Sequence, residues 1–195
     1  MGLIIKPLTG AAMSPYLDDV ARLRLSVFAE YPYLYDGDLE YETWYLAKFA
    51  SLAGAVLVVA LDGDKVIGAA TGAPLLHQFE EFSAPLIKAG YDIDQHFYCG
   101  ESVLVPPYRG RGIGHEFFNY REAQAVSLGL AYCGFFSVIR AEDDPRRPDG
   151  YRSLDGFWNK RGYEKLDGVV ATFPWREQGE NFERMNQLCY WMRAL

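Results

Sequence analysis

The most informative stretch of this chain is residues 101–115, with the sequence ESVLVPPYRGRGIGH. An apolar run typical of a strand ends at two prolines, three glycines follow within five positions, and a helical pattern begins at Ile113. Glycine permits left-handed backbone angles and close approach of a ligand, and the free N–H groups at a helix N-terminus attract anions. Arg109 and Arg111 add positive charge, so this stretch predicts a cradle for a pyrophosphate group.

Other phosphate-binding loops fit this stretch less well. A P-loop ends in Gly-Lys-Ser or Gly-Lys-Thr, whereas residues 112–115 are Gly-Ile-Gly-His. A dinucleotide fingerprint that began at Gly110 would need glycine or alanine where His115 stands, and it would open a βαβ unit. A glycine-rich turn without a ligand remains the structural alternative.

Hydrophobic patterns on both sides of the loop predict an alternation of strands and helices. Predicted strands cover residues 3–8, 55–61, 66–72, 96–105, 130–139 and 169–175. Predicted helices cover residues 14–29, with Ser14 as N-cap, and then 39–51, 80–89, 113–129, 154–161 and 180–193. The tripeptide Asp62-Gly63-Asp64 predicts a hairpin between two of the strands.

The loop has the pattern Arg-x-x-Gly-x-Gly at Arg109, Gly112 and Gly114, after an apolar strand and Pro106. This pattern resembles the acetyl-CoA pyrophosphate loop of the GNAT superfamily of N-acetyltransferases. Residues 157–163 are similar to a later motif of that family, and the hairpin at 62–68 is similar to its second and third strands. The resemblance covers residues 1 to about 175.

The resemblance implies a fold of the α/β (α+β) class. We expect a mixed, mostly antiparallel sheet of about six or seven strands, with helices on both faces and with the fourth and fifth strands splayed apart. The whole chain, residues 1–195, is expected to form a single acetyltransferase domain.

By the same resemblance, acetyl-CoA is the expected co-substrate, and most of its contacts come from the backbone. The cofactor-binding residues are expected to be Ser102, Val103 and Leu104 for pantetheine, and Arg109, Gly110, Arg111, Gly112, Ile113 and Gly114 for the pyrophosphate. Trp158 is expected on the other side of the cofactor. Many family members carry tyrosine at that position as the acid for the leaving thiolate, and an indole cannot serve as a practical proton source.

The chemistry of amine acetylation needs a base, because an alkyl amine with a pKa near 10.4 is only about 0.1% neutral at pH 7.4. Glu101 is the first candidate, since it lies on the fourth strand among apolar residues, and Tyr98 is the second. The Leu104 N–H is a candidate donor to the developing oxyanion. With Trp158 at the usual acid position, either Tyr151 or solvent is expected to protonate the thiolate.

The expected acceptor site is the segment between the first two helices. Its candidate substrate-binding residues are Tyr31, Tyr33, Tyr35 and Asp36. Aromatic faces and carboxylates together suit a cationic amine. The alternative interpretation is that the tyrosines pack the helix pair and the acids are solvated.

Composition excludes several other classes of function. The net charge of −7 and the sequence pI near 5.0 disfavour a nucleic-acid partner. The three cysteines and three histidines have no metal-ligand spacing, so no metal site is expected and the thiols are expected to be reduced. No secretory leader or long apolar run is visible, so no membrane partner and a cytoplasmic location are expected.

The expected activity is acetylation of a small-molecule amine by direct attack in a ternary complex. One alternative is a non-catalytic acyl-CoA-binding regulatory module, which Trp158 favours. Another is acetylation of a protein N-terminus or lysine, which would need an open groove. The apolar segment 182–195 either covers the sheet or forms a homodimer contact, and the sequence leaves this choice open.

Overall fold

The computed structural model describes residues 2–195 and contains one seven-stranded sheet. The strands are β1 (Leu3–Leu8), β2 (Val56–Asp62), β3 (Lys65–Pro74), β4 (His96–Leu104), β5 (Tyr132–Val138), β6 (Glu164–Arg176) and β7 (Glu183–Ala194). Their spatial order is β1-β2-β3-β4-β5-β7-β6, and every neighbouring pair is antiparallel except β4 and β5.

Five α-helices cover the two faces of the sheet. They are α1 (Leu17–Phe28), α2 (Leu39–Ala50), α3 (Glu80–Lys88), α4 (Ile113–Ser127) and α5 (Asp155–Lys160). Alternate residues of β2 point to opposite faces of the sheet. Leu57 and Val59 pack with α1 and α2 on one face, whereas Val56 and Val58 pack with α4 on the other. Because helices cover both faces, β2 is apolar at every buried position and shows no polar alternation.

The sheet opens between β4 and β5. The two strands pair only from His96 to Tyr98, opposite Tyr132 to Gly134. Beyond that point β4 continues along β3 and β5 continues along β7, so the strands diverge and leave a cleft. The predicted splay of the fourth and fifth strands is therefore confirmed, as are the mixed sheet and the helices on both faces.

The prediction of a final helix over residues 180–193 is wrong, because this segment forms β7. Apolar residues in the segment recur at helical spacing, which produced the prediction. In the structure β7 lies between β5 and β6 and pairs with both of them, so cross-strand pairing outweighs the local pattern. The segment therefore does not pack over the sheet but is one of its strands.

The start of the first helix also differs from the prediction. Ser14 and Pro15 lie in a 3₁₀ turn from Gly10 to Tyr16, and α1 begins only at Leu17. Its N-cap is Tyr16, with no side-chain capping bond, so Ser14 is not the cap. The 3₁₀ turn buries Met13 under the helix pair, and this packing sets the helix start.

Residues 2–195 contain neither a membrane-spanning helix nor a cluster of metal-ligating side chains. None of the helices in this range is long and apolar enough to cross a bilayer. The same residues contain no group of three or more histidine, cysteine, aspartate or glutamate side chains arranged to hold a metal ion. The three cysteines are buried and carry free thiols.

Candidate active site

The glycine turn ahead of α4 forms an open cradle of backbone N–H groups. Gly110 and Gly112 adopt φ values of 76° and 84°, which favour glycine. A Cβ atom built at either position would meet no atom within 4 Å, so the space over the turn is free. The first helical bonds are those from the His115 and Glu116 N–H groups to the Gly112 carbonyl. The N–H groups just before His115 therefore precede the bonding of the helix and are available to an anion.

The cradle has a wall formed by α5. A Cβ at Gly114 would lie 3.6 Å from the Phe157 ring, and the His115 ring packs edge-on against Phe157 at 4.8 Å. The Arg111 guanidinium lies over the Tyr108 ring at 5.1 Å and is exposed beside the turn. The shape, the N–H groups and the positive charge together fit a diphosphate, as the sequence predicts.

Arg109 was expected to bind the pyrophosphate, but in the structure its polar groups bond to other parts of the protein. Its N–H bonds to the Pro106 carbonyl, so this amide is already satisfied within the turn. Its Nε donates to the Leu104 carbonyl at 2.9 Å, and its Nη1 pairs with Glu30 at 2.8 Å. The Arg109 side chain thus connects the end of β4 to the segment that follows α1, and Arg111 is the arginine left beside the cradle.

The predicted pantetheine segment of β4 lies along the cleft, and its side chains at Ser102 and Val103 make contacts within the protein. Val103 is fully buried in the core under α1, and the Ser102 hydroxyl accepts a hydrogen bond from Arg121. The Val105 N–H bonds to Ile67 on β3, so the alternation of an antiparallel ladder directs the Leu104 N–H away from β3. The backbone at Leu104 therefore faces the cleft.

Trp158 faces the core from the opposite wall. Its ring centroid lies 4.9 Å from that of Phe135 and 5.2 Å from that of Trp191. The indole of Trp191 donates to the Ser137 hydroxyl, and Trp158 fills the space beside this pair. Trp158 therefore packs α5 against β5 and β7.

A buried ion-pair network lies on the face of β4 that α1 covers. Gly100 and Glu101 together oppose Thr71 in a β-bulge, which turns the Glu101 side chain toward α1. The Arg24 guanidinium pairs with Glu101 through Nη1 and with Glu42 of α2 through Nε. All three side chains are at most 9% exposed, so each charge depends on its partners for compensation.

Aromatic rings enclose this network. The Arg24 guanidinium lies 4.6 Å from the Tyr45 ring centroid and 5.0 Å from that of Phe28. Burial alone would lower the pKa of Arg24, but the charges of Glu101, Tyr45 and Glu42 raise it above its ordinary value. Burial, followed by the charge of Glu101, raises the pKa of Tyr33 to about 12 and also raises the pKa of Tyr45.

The two candidate catalytic tyrosines lie in different environments. Tyr98 is buried against Phe82 and Phe136, and burial raises its pKa well above the ordinary value. Tyr151 is half-buried, and its ring meets that of Tyr31 edge-on at 4.7 Å. Burial, followed by the neighbouring Tyr31, raises the pKa of Tyr151, so its phenol stays protonated at neutral pH.

The predicted acceptor residues divide into two pairs. Tyr31 contacts Tyr151, and Tyr33 packs against Phe28 close enough to Glu101 for that carboxylate to raise the pKa of Tyr33. Tyr35 is turned toward Glu42, and burial followed by that carboxylate raises its pKa. The Asp36 carboxylate pairs with Arg176 at 2.8 Å. Tyr33 therefore lies near Glu101 and Tyr35 near Glu42, whereas Tyr31 lies beside Tyr151.

The sequence did not single out Arg24, Glu42 or Tyr45 as site residues. The available signal was Arg24 itself, a charged residue in the apolar stripe of α1 that also contains Val20. An arginine at a core-facing position needs buried acidic partners, but the sequence does not say which carboxylates provide them.

A broad surface depression of about 500 Å³ lies away from the Arg24 network, between residues 141–146 and the turn before β7.

Comparisons with known proteins show the family and the fold of this chain. A family model described as "Acetyltransferase (GNAT) family" matches residues 20–147. No curated protein matches the chain significantly.

Among solved structures, yncA from Salmonella typhimurium, determined with its cofactor acetyl-CoA, has a TM-score of 0.60 at 14% identity, over 100% of this chain and 95% of that one. An N-acetyltransferase from Staphylococcus aureus Mu50 has a TM-score of 0.61 at 12% identity, over 100% of this chain and 99% of that one. A ribosomal-protein-alanine N-acetyltransferase from Brucella melitensis has a TM-score of 0.58 at 18% identity, over 98% and 99% of the two chains. These likenesses show the fold, and the family model covers well over half of the residues. The chain belongs to the GNAT family of acetyltransferases, enzymes that use acetyl-CoA as co-substrate.

Proposed function

We propose that this enzyme transfers an acetyl group from acetyl-CoA to the primary amino group of a small acceptor by direct attack in a ternary complex. One domain, residues 1–195, carries both binding sites. The observation that supports the proposal most strongly is the placement of two features along β4. The open amide cradle follows its end, and the buried carboxylate of Glu101 lies at its bulge.

The binding role falls to backbone groups. Acetyl-CoA supplies the acetyl group as an activated thioester. The N–H groups from Gly110 to Gly114 bind the pyrophosphate, and the backbone of Ser102 to Leu104 binds the pantetheine arm in the cleft between β4 and β5. The Leu104 N–H, which faces away from β3, stabilises negative charge on the carbonyl oxygen.

Glu101 is proposed as the group that receives the amine proton, directly or through water. Keeping an alkyl amine neutral at physiological pH costs about 4 kcal/mol, so a nearby carboxylate offsets part of that barrier. Arg24 and Glu42 hold Glu101 in place, and Tyr33 and Tyr45 flank it. We assign Tyr98 a packing role, because a deeply buried phenol with a raised pKa is a poor base.

Tyr151 is proposed as the donor that protonates the leaving thiolate. Its pKa is raised, so it carries a proton at neutral pH, and it stands beside Tyr31 at the edge of the acceptor region. Trp158 packs between β5 and β7 and offers only an indole N–H, which is not an acid. The acceptor is proposed to be small, because the segment that carries Tyr31 and Tyr33 is bonded across the outer end of the cleft.

The test is a thiol-release assay with acetyl-CoA and a panel of primary amines, in which mass spectrometry identifies the acetylated product. Substitution Glu101→Gln should lower kcat/KM by about 10²–10⁴-fold while acetyl-CoA binding is retained. The matched control Glu183→Gln alters an exposed carboxylate at the start of β7 and should leave kcat/KM unchanged. Acetyl-CoA binding without thiol release for any amine would contradict transfer and favour the regulatory module. Turnover only with peptide amines would contradict a small acceptor.

A further inference from the structure

The loop between α1 and α2 is held at its carbonyl groups by residues from the far side of the cleft. Here the α1–α2 loop means residues 29–38. From Pro32 to Asp36 every carbonyl oxygen accepts a hydrogen bond from Arg140, Trp175, Arg176 or Gln178. The N–H of Asp36 completes this docking by bonding to the Arg176 carbonyl at 2.8 Å. The conformation of the loop therefore depends on β6 and on the segment after β5.

Arg140 makes the most specific of these contacts. It lies two residues after the end of β5, and its Nε and Nη2 donate to the carbonyls of Pro32 and Tyr33 at 2.6 and 3.0 Å. Its Nη1 lies 2.7 Å from Glu177, whose carboxylate is 1% exposed and also contacts Arg146. Two carbonyls and one carboxylate thus surround a single planar guanidinium, an arrangement that an ammonium group cannot reproduce.

Arg140 fixes the segment that carries Tyr31 and Tyr33, two of the proposed acceptor-site residues. The Tyr33 ring packs in tilted geometry against Phe28 and Trp175, with centroid distances of 4.6 and 6.0 Å. The next residue, Leu34, has a φ of 54°, a left-handed conformation that costs free energy for a side chain with a Cβ. A backbone in such a conformation persists only where surrounding contacts determine it. The bonds from Arg140 lie directly before this residue.

We propose that Arg140 is a positioning residue for the acceptor site, and that its guanidinium holds the Pro32–Tyr33 backbone so that Tyr31 stays beside Tyr151 and Tyr33 stays on Phe28, next to the Arg24–Glu101 pair. This inference rests on the proposed acetyl transfer for its kinetic consequence, and its structural consequence can be measured separately. Arg140 does not touch the amide cradle, so acetyl-CoA binding is independent of it.

The first test is hydrogen exchange of the whole protein, which needs no substrate. In Arg140→Ala the N–H groups of Tyr35 and Asp36, which are bonded in the wild type, should exchange at least about tenfold faster, whereas those of α4 should not change. The control Arg193→Ala removes another ion-paired arginine, one bonded to Glu122 away from this loop. Unchanged exchange in residues 31–36 of Arg140→Ala would overturn the proposal even if the enzyme proved inactive.

The second test is kinetic and uses the best amine from the panel. Arg140→Ala should raise KM for the amine at least about tenfold, with the dissociation constant for acetyl-CoA within about twofold of the wild type. Arg140→Lys should remain defective, because one ammonium cannot serve both carbonyls and Glu177. Millimolar methylguanidinium should restore part of the amine KM in Arg140→Ala, and methylammonium should not.

The outcomes separate positioning from general destabilisation. Equal losses in amine KM, acetyl-CoA affinity and α4 protection would show a structural role only and would overturn the proposal. Full activity of Arg140→Lys would also overturn it, because the planar fork would then be unnecessary. A wild type that binds acetyl-CoA but acetylates no amine would refute the proposed function, and the exchange experiment would still decide whether Arg140 positions the loop.

Discussion

Substitution of Gly112 by alanine should separate ligand binding from folding. The residue has a φ of 84°, and a Cβ there would meet no protein atom within 4 Å. The folded protein should therefore lose only the cost of a left-handed alanine, about 1–2 kcal/mol. For a chain of this size each kcal/mol corresponds to a fall in Tm of roughly 2–4 °C.

The effect on acetyl-CoA should be larger. The added methyl group would occupy the space where the pyrophosphate meets the N–H groups, and loss of two hydrogen bonds to a charged group costs about 3 kcal/mol or more. Affinity for acetyl-CoA should then fall about 100-fold, measured by calorimetric titration.

Gly129 offers a matched control at the other end of the same helix. It has a φ of 74°, and a Cβ there would also meet nothing within 4 Å. Gly129→Ala should thus lower Tm by a similar amount and leave acetyl-CoA affinity within about twofold of the wild type. If Gly112→Ala binds acetyl-CoA as tightly as Gly129→Ala, the assignment of the cradle is refuted.

Three further predictions concern the core around the site. Arg24→Leu leaves Glu42 and Glu101 buried without their partner and should reduce the free energy of unfolding by about 3–5 kcal/mol in urea titrations, and a loss below about 1 kcal/mol would contradict the network. The pKa of Tyr33 rises from 10.0 to about 12 on folding. The protonated phenol therefore makes its full contribution to the free energy of unfolding below pH 10, and this contribution is lost as the pH rises through 12. Between pH 10 and pH 12 the free energy of unfolding of Tyr33→Phe should therefore fall by on the order of 3 kcal/mol less than that of the wild type, measured in unfolding experiments at alkaline pH. The same pH dependence in both proteins would contradict this prediction. Trp158→Tyr should lower Tm through lost packing without a rise in kcat, and a rise in kcat would show that the missing phenol limits the reaction.

The parts of the fold that follow from local chemistry were predictable. The turn at residues 110–114 needs glycines at positive φ, and a short segment carries that information. The hairpin at Asp62-Gly63-Asp64 is local in the same way. β7 was not predictable, because its apolar residues have helical spacing and only its two neighbouring strands decide that it is extended.

The buried charges of the site also depend on tertiary structure. Arg24, Glu42 and Glu101 come from three elements, and their pairing requires the bulge in β4 together with the packing of α1 on α2. The sequence indicated Glu101 from its apolar neighbours but gave no indication that an arginine would compensate its charge. Arg140 followed a predicted strand in a polar stretch, and nothing local distinguishes it from the other arginines there.

The backbone cradle ahead of α4 is proposed to bind the pyrophosphate of acetyl-CoA. Calorimetric titration of the wild-type protein with acetyl-CoA and with S-acetylpantetheine isolates this role, because the second ligand keeps the thioester and lacks the diphosphate. We expect micromolar binding of acetyl-CoA and an affinity for S-acetylpantetheine that is at least about 100-fold weaker. Equal affinity for the two ligands, or no binding of acetyl-CoA, would show that the cradle does not bind the pyrophosphate.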